Sequence, residues 1–263
     1  MRTFNYIATA FAVMVLLALG ATPVRATELM PNFADIPTGW TTDRFEPDSF
    51  SNIGTFEGHN DVLGIGISAD DGFGSRPAGF NSTFYNTQGR KHSIAGGIGD
   101  TLSASLWLDP LWEDESNGTI RTDMWGVMTD GLGISGYPII GFTNYDDNGR
   151  FRVWEDTLGS WIDLATTVDY DSWVNFAITL TADTYEFSIN GIQVYEDLTT
   201  NGSTGFDEVI MQAYNSCGND PAVGDAVCSD YTARWSNIVP EPGTFALVGL
   251  GLVGLGAARR KRR

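Results

Sequence analysis

Apolar and polar residues alternate with a period of two at several places along the chain, the pattern of a strand with one buried face. The clearest run is Thr101 to Leu108, where Leu102, Ala104, Leu106 and Leu108 alternate with Thr101, Ser103, Ser105 and Trp107. Leu63, Ile65 and Ile67 repeat it. Further on, Val174, Phe176, Ile178 and Leu180 define one apolar face, and Tyr185, Phe187 and Ile189 define the next. Asn190-Gly191 then precedes Ile192 and Val194, and such a pair between alternating runs signals a two-residue hairpin, because both central positions need positive φ. The same reading predicts strands at residues 124–128, 139–142, 151–154, 209–214 and 231–239. No window carries the period of an amphipathic helix. Many short strands between Gly, Asn and Asp turns predict an all-β fold, an antiparallel β-sandwich or jelly roll.

The two ends break this pattern. Residues 7–19 are uncharged and mostly apolar, with Arg2 before them and Val24-Arg25-Ala26 after. A short basic start, an apolar stretch and small residues at a cleavage site predict a secretory signal peptide over residues 1–26. At the other end, Pro240-Glu241-Pro242 leads into an apolar stretch over residues 245–258 and then five cations, Arg259 to Arg263. That stretch is short against the roughly 20 residues of a bilayer span. It predicts a short transmembrane helix that thins the membrane locally, with its cations on the cytoplasmic side. Between the ends, residues 27–239 read as one β domain.

Charge sharpens the division. The 263 residues carry 15 Lys+Arg against 33 Asp+Glu, a net −18, yet seven of the cations lie in the end segments. Residues 27–239 hold the remaining eight cations and 32 acids, a formal −24. A surface of that sign excludes nucleic acid as a partner, since phosphate binding needs a basic face. The 42% hydrophobic content is enough to fill a core and excludes global disorder.

The C-terminal arrangement of Pro240, Glu241, Pro242, the apolar stretch and the Arg-rich end resembles the PEP-CTERM sorting tail. That resemblance implies an exported bacterial protein. Signal peptidase and exosortase process such a chain, which passes through an inner-membrane intermediate to the cell surface or extracellular matrix. Within the domain, Trp173 to Phe176, Tyr185 to Tyr195 and the closing Trp235 to Val239 resemble the laminin-G and concanavalin A-like lectin/glucanase superfamily. Its members include glycan binders, glycosidases and adhesive modules, so the resemblance leaves function open.

Candidate chemistry is sparse. Glu113-Asp114-Glu115 spaces two glutamates two apart but sits beside Pro110 and Asn117-Gly118, so it reads as a charged loop rather than a rigid pair of catalytic carboxylates. His59 and His92, the two histidines, read as surface or turn residues, and no catalytic or zinc motif includes them. Asn144, Asp146, Asn148 and Glu155 fall at oxygen-ligand positions of a calcium loop with Gly149 at its sixth position, which makes calcium the candidate cofactor; a plain solvated turn between strands is the competing reading. Cys217 and Cys228 are expected to form a disulfide in an exported chain. Trp107, Trp125 and Trp154 are out of phase with their apolar neighbours. They are candidates for stacking on sugar rings, or for covering the second face of a sheet. The expected function is non-catalytic: a surface or matrix module that binds exopolysaccharide, surface glycan or protein. The alternative is a polysaccharide hydrolase or lyase on the same fold.

Overall fold

The computed structural model describes residues 27–146, 148–218 and 226–237. The segments read as a signal peptide and as a transmembrane helix, and Pro240, Glu241 and Pro242, lie outside the described residues. The strands are β1 (Glu28–Leu29), β2 (Trp40–Thr42), β3 (Ser49–Asn52), β4 (Leu63–Ile67), β5 (Thr87–Gly97), β6 (Thr101–Leu108), β7 (Arg121–Thr129) and β8 (Ile134–Gly136). They continue with β9 (Ile139–Thr143), β10 (Arg150–Glu155), β11 (Ser160–Asp163), β12 (Ser172–Leu180), β13 (Tyr185–Ile189), β14 (Ile192–Asp197), β15 (Gly205–Tyr214) and β16 (Tyr231–Ser236).

Two sheets share these strands. The first runs β14-β13-β12-β6-β16-β4-β3, with β1 added beside β6. The second runs β11-β10-β9-β7-β15-β5-β2, with β8 beside β7. Every pairing is antiparallel except β1 with β6, so the expected antiparallel sandwich carries one short parallel strand.

The alternation read from the sequence fills the space between the sheets. Leu102, Leu106, Leu63, Ile65, Phe176, Ile178 and Phe187 are fully buried from the first sheet, and Met124, Ile140, Phe142, Phe151 and Val209 meet them from the second. Large apolar side chains removed from water in this way supply about 1.5–3 kcal/mol each. Trp235 is also fully buried and donates its indole N–H across the core to Thr122 Oγ1 at 3.0 Å, so its one polar atom is satisfied. Asn190 and Gly191 take φ of 51° and 75°, the hairpin geometry their sequence demanded. Beyond that turn, a bulge shifts the register between Phe187 and Ser188.

A second tie between the sheets stands at one end of the core. Tyr231 of β16 reaches the first residue of β7 and the last of β15, where its hydroxyl donates to the carbonyls of Arg121 at 2.9 Å or Tyr214 at 2.7 Å and accepts the Tyr214 N–H at 3.0 Å. Burial pushes this phenol well above its ordinary range. The Cys217–Cys228 bond closes nearby. It joins the segment after β15 to the segment before β16.

Candidate functional site

The alternation that buries Met124 and Met128 turns Arg121, Asp123, Trp125 and Val127 of β7 to the other side of the second sheet, away from the core. The register aligns that outer face into rows. One row runs Trp161, Trp154, Ile139, Trp125 and Ile210, crossing β11, β10, β9, β7 and β15. The next runs Asp163, Arg152, Gly141, Asp123, Gln212 and Gly89. A third sets Arg150 and Arg121 on either side of Thr143.

The aromatic row floors a cleft of about 710 Å³. Its walls come from distant parts of the chain: Asp43 and Arg44 after β2, Thr83 and Phe84 before β5, Tyr137 before β9, and Tyr214 at the end of β15. The Asp43 N–H donates to the Gly89 carbonyl at 3.1 Å, which fixes the 43–44 segment against β5.

Guanidinium groups and rings interleave here. The Arg44 carbon lies 4.6 Å from the Phe84 ring centre and 4.7 Å from that of Trp125. Arg121 sits 4.8 Å over Trp161 and 4.9 Å over Tyr214, and Arg152 packs 3.9 Å over Trp161 from the adjoining row. Each such contact contributes about 0.5–2 kcal/mol and holds the ring in place. Arg121 Nε also donates to the fully buried Asp123 at 2.8 Å, and Gln212 Nε2 donates to the same carboxylate at 2.8 Å. A Cβ at Gly141 would collide with Asp123 Oδ1 and the Thr122 carbonyl, so only glycine lets β9 pass this carboxylate.

Burial dominates the electrostatics. It pushes the Asp43 carboxyl above the ordinary carboxylate range, against the pull of neighbouring Arg44. It lowers Arg44, with Arg121 adding repulsion and Asp43 opposing. Burial, reinforced by Arg121, brings Arg152 down to about 9. The Trp125 indole N–H, Arg152 Nε and Nη2, Asp123 Oδ1 and Gln212 Oε1 are buried and have no hydrogen-bond partner within the protein. Buried polar atoms left in this state are the ones a ligand or ordered water satisfies.

Of the three tryptophans singled out in the sequence, Trp125 and Trp154 meet in this cleft. Trp107 does not join them. It lies on the first sheet, covered by Phe56 at 5.5 Å and Trp173 at 5.6 Å. His59 stacks on that same Trp173 at 4.2 Å in a loop, whereas His92 lies within strand β5 beside Trp40 rather than in a turn. Glu113 and Asp114 are exposed, Glu113 ending one short 3₁₀ turn and Asp114 capping the next, while Glu115 is half-buried and accepts the Thr119 hydroxyl at 2.6 Å.

The calcium-loop residues are drawn apart. Asn144 is fully buried: its Oδ1 accepts the Ile120 N–H at 2.7 Å, and its amide donates to the carbonyls of Trp112 at 3.1 Å and Gly118 at 2.9 Å. Glu155 lies at the far end of β10, about 17 Å of extended chain from Arg150, and accepts the Leu158 N–H. Asn144 is a structural strap, and a strand separates Glu155 from Asp146 and Asn148. Among the described residues, no group of three or more Asp, Glu, His or Cys side chains is placed to hold a metal ion.

Sequence reasoning missed Arg44, Phe84, Arg121, Trp161 and Tyr214. Trp161 carried a usable signal, since it follows Gly159 just after the predicted strand at 151–154 and so stood to form a hairpin with Trp154.

No curated protein matches the chain. Among solved structures, it is similar to a Bacillus licheniformis β-glucanase at 12% identity, covering 77% of this chain and 93% of that one, with a TM-score of 0.44. It is similar to a carbohydrate-binding module from Bacillus subtilis at 13% identity, covering 81% and 97%, with a TM-score of 0.39. An immunostimulatory antigen and pseudo-β-1,3-glucanase of Mycobacterium tuberculosis matches at 17% identity over 78% and 91%, with a TM-score of 0.41. Residues 239–263 match the PEP-CTERM protein-sorting motif, the feature first read from Pro240-Glu241-Pro242 and the basic end. The chain thus carries a PEP-CTERM sorting motif, which marks it for export and surface sorting by exosortase, behind a two-sheet β-sandwich.

Proposed function

We propose that this exported protein is a non-catalytic surface or matrix module that binds glycan in the cleft on the outer face of the second sheet. The observation that carries the reading is the lining itself. Trp125, Trp154, Trp161, Tyr137 and Tyr214 give a broad aromatic surface, and a few polar groups at its margins can orient a ligand. Rings of this kind pack against the apolar faces of sugar rings, while the indole N–H of Trp125 can donate to a hydroxyl.

Hydrolysis by the usual route needs two carboxyl groups, about 5 Å apart for retention and about 6.5–9.5 Å apart for inversion. Among the described residues Asp43 is the one carboxylate lining the cleft, and Asp123 beneath it is committed to Arg121 and Gln212. A hydrolase or lyase reading has one observation in its favour, the raised Asp43 carboxyl in a cleft, which is the environment of a general acid.

Incubating the full chain in mild detergent with exopolysaccharide from an exosortase-bearing bacterium, and scoring both retention and new reducing ends, separates these readings. Retention without cleavage is expected. Cleavage abolished by Asp43→Asn would establish the enzymatic reading, and neither retention nor cleavage would overturn the glycan reading.

A further inference from the structure

The cleft also carries a charge pattern that a neutral sugar would leave unused. Residues 27–237 contain eight cations, and four of them, Arg44, Arg121, Arg150 and Arg152, belong to or border this one face. Arg44 is paired with Asp43 at 3.5 Å, Arg121 with Asp123 at 2.8 Å, and Arg150 with Asp163 at 2.9 Å. Arg152 is the odd one. It is less than a tenth exposed, Nε and Nη2 have no hydrogen-bond partner, Asp123 and Asp163 attract it without forming an ion pair, and its guanidinium lies against the same Trp161 ring that Arg121 covers. A buried, unpaired guanidinium is costly to a folded chain unless an anion completes it. Arg121 adds donors of its own, since among the described residues only its Nε is hydrogen-bonded.

We propose that the cleft takes a carboxylate-bearing sugar polymer, with the acid group held between Arg121 and Arg152 at the Trp161 end while the sugar rings lie over the tryptophans. This rests on the glycan-binding reading above and specifies its ligand class. The planar fork of a guanidinium matches a carboxylate with two parallel hydrogen bonds. A domain of formal charge −24 repels polyanions at long range, so this local excess of positive charge acts at contact distance and favours a ligand whose rings also stack.

The test compares binding of the full chain to an unbranched polyuronate with binding to the same polymer after its carboxyl groups are reduced to alcohols. Polyuronate should bind at least tenfold more tightly, as one charge-assisted hydrogen bond predicts. Arg152→Met removes a buried charge, so it should fold; because it also takes the guanidinium off the Trp161 ring it should weaken binding of both polymers, but that of polyuronate at least tenfold more, which abolishes the preference. Arg121→Gln should act in the same direction. Equal affinity for the two polymers would overturn the acid-group assignment and leave the glycan reading standing, whereas binding of neither would overturn both. Poly-glutamate competing as well as polyuronate would also overturn the proposal, because charge without sugar would then suffice.

Discussion

Replacing Asn144 with alanine tests whether this residue is a strap or a metal ligand. The substitution removes an acceptor from the Ile120 N–H and donors from the Trp112 and Gly118 carbonyls, three backbone groups buried where water does not reach them. Each unpaired buried group costs about 1–3 kcal/mol, the carbonyls toward the lower end. Together they predict a loss of about 3–5 kcal/mol. The loss should concentrate in residues 112–120, whose Trp112 ring stacks on Phe142 at 5.6 Å and would lose its tether. For a domain of this size that is a fall in Tm of roughly 10 °C. Urea unfolding and thermal melts of wild type and Asn144→Ala, each with and without added calcium, measure it. A variant within about 1 kcal/mol of wild type would refute the strap. So would a calcium-dependent rise in wild-type Tm that the variant lacks, because a ligand that binds only the folded state must stabilise it.

Three other perturbations probe the frame around the cleft. Replacing Cys217 and Cys228 together by alanine opens a 12-residue loop and should lower stability by about 2–3 kcal/mol in urea; unchanged stability would show that the loop needs no bond. Gly191→Ala meets no atom within 4 Å, so its whole effect should be the backbone penalty of positive φ, about 1 kcal/mol, and a neutral variant would contradict the hairpin geometry. Burial raises the Asp156 carboxyl, which accepts the Tyr137 N–H at 3.0 Å beside the cleft. A group that holds its proton more tightly when folded loses the chain stability as pH rises from the ordinary carboxylate value through the raised one. Asp156→Asn has no such loss. Its stability relative to wild type should therefore increase from about pH 3 to about pH 7, and a constant difference would show that burial does not perturb this group.

The core was legible in the sequence because its physics is local. Strands β6, β12 and β13 alternate cleanly, and their apolar residues fill the core; in β6 the intervening Ser103, Ser105 and Trp107 are buried as well, on the other face. Strand β5 was not legible. Its sequence, Thr87 to Gly97, is polar and Gly-rich, yet it pairs with β15 and β2 and offsets its charges through Lys91 with Glu208 at 2.9 Å and Arg90 with Glu46. Those partners lie far away in the chain. The cleft divides in the same way. Being out of phase identified Trp125 and Trp154, but the same criterion also picked Trp107, because phase reports which side of a strand a residue takes and not what covers that side. Arg44 and Phe84 reach Trp125 only through the fold, and no spacing in the sequence records that approach.

If ligand lies on the outer face of the second sheet, the sandwich supplies its own control. Trp154 lines the cleft, whereas Trp107 lies on the first sheet beneath Phe56 and Trp173. The decisive measurement is the affinity of full-length wild type, Trp154→Ala and Trp107→Ala for one exopolysaccharide, by titration calorimetry. Loss of a stacking ring worth about 1.4 kcal/mol weakens binding about tenfold, so Trp154→Ala should fall by at least that factor and Trp107→Ala should match wild type. Equal losses in both variants, or a loss confined to Trp107→Ala, would place the ligand elsewhere on the sandwich.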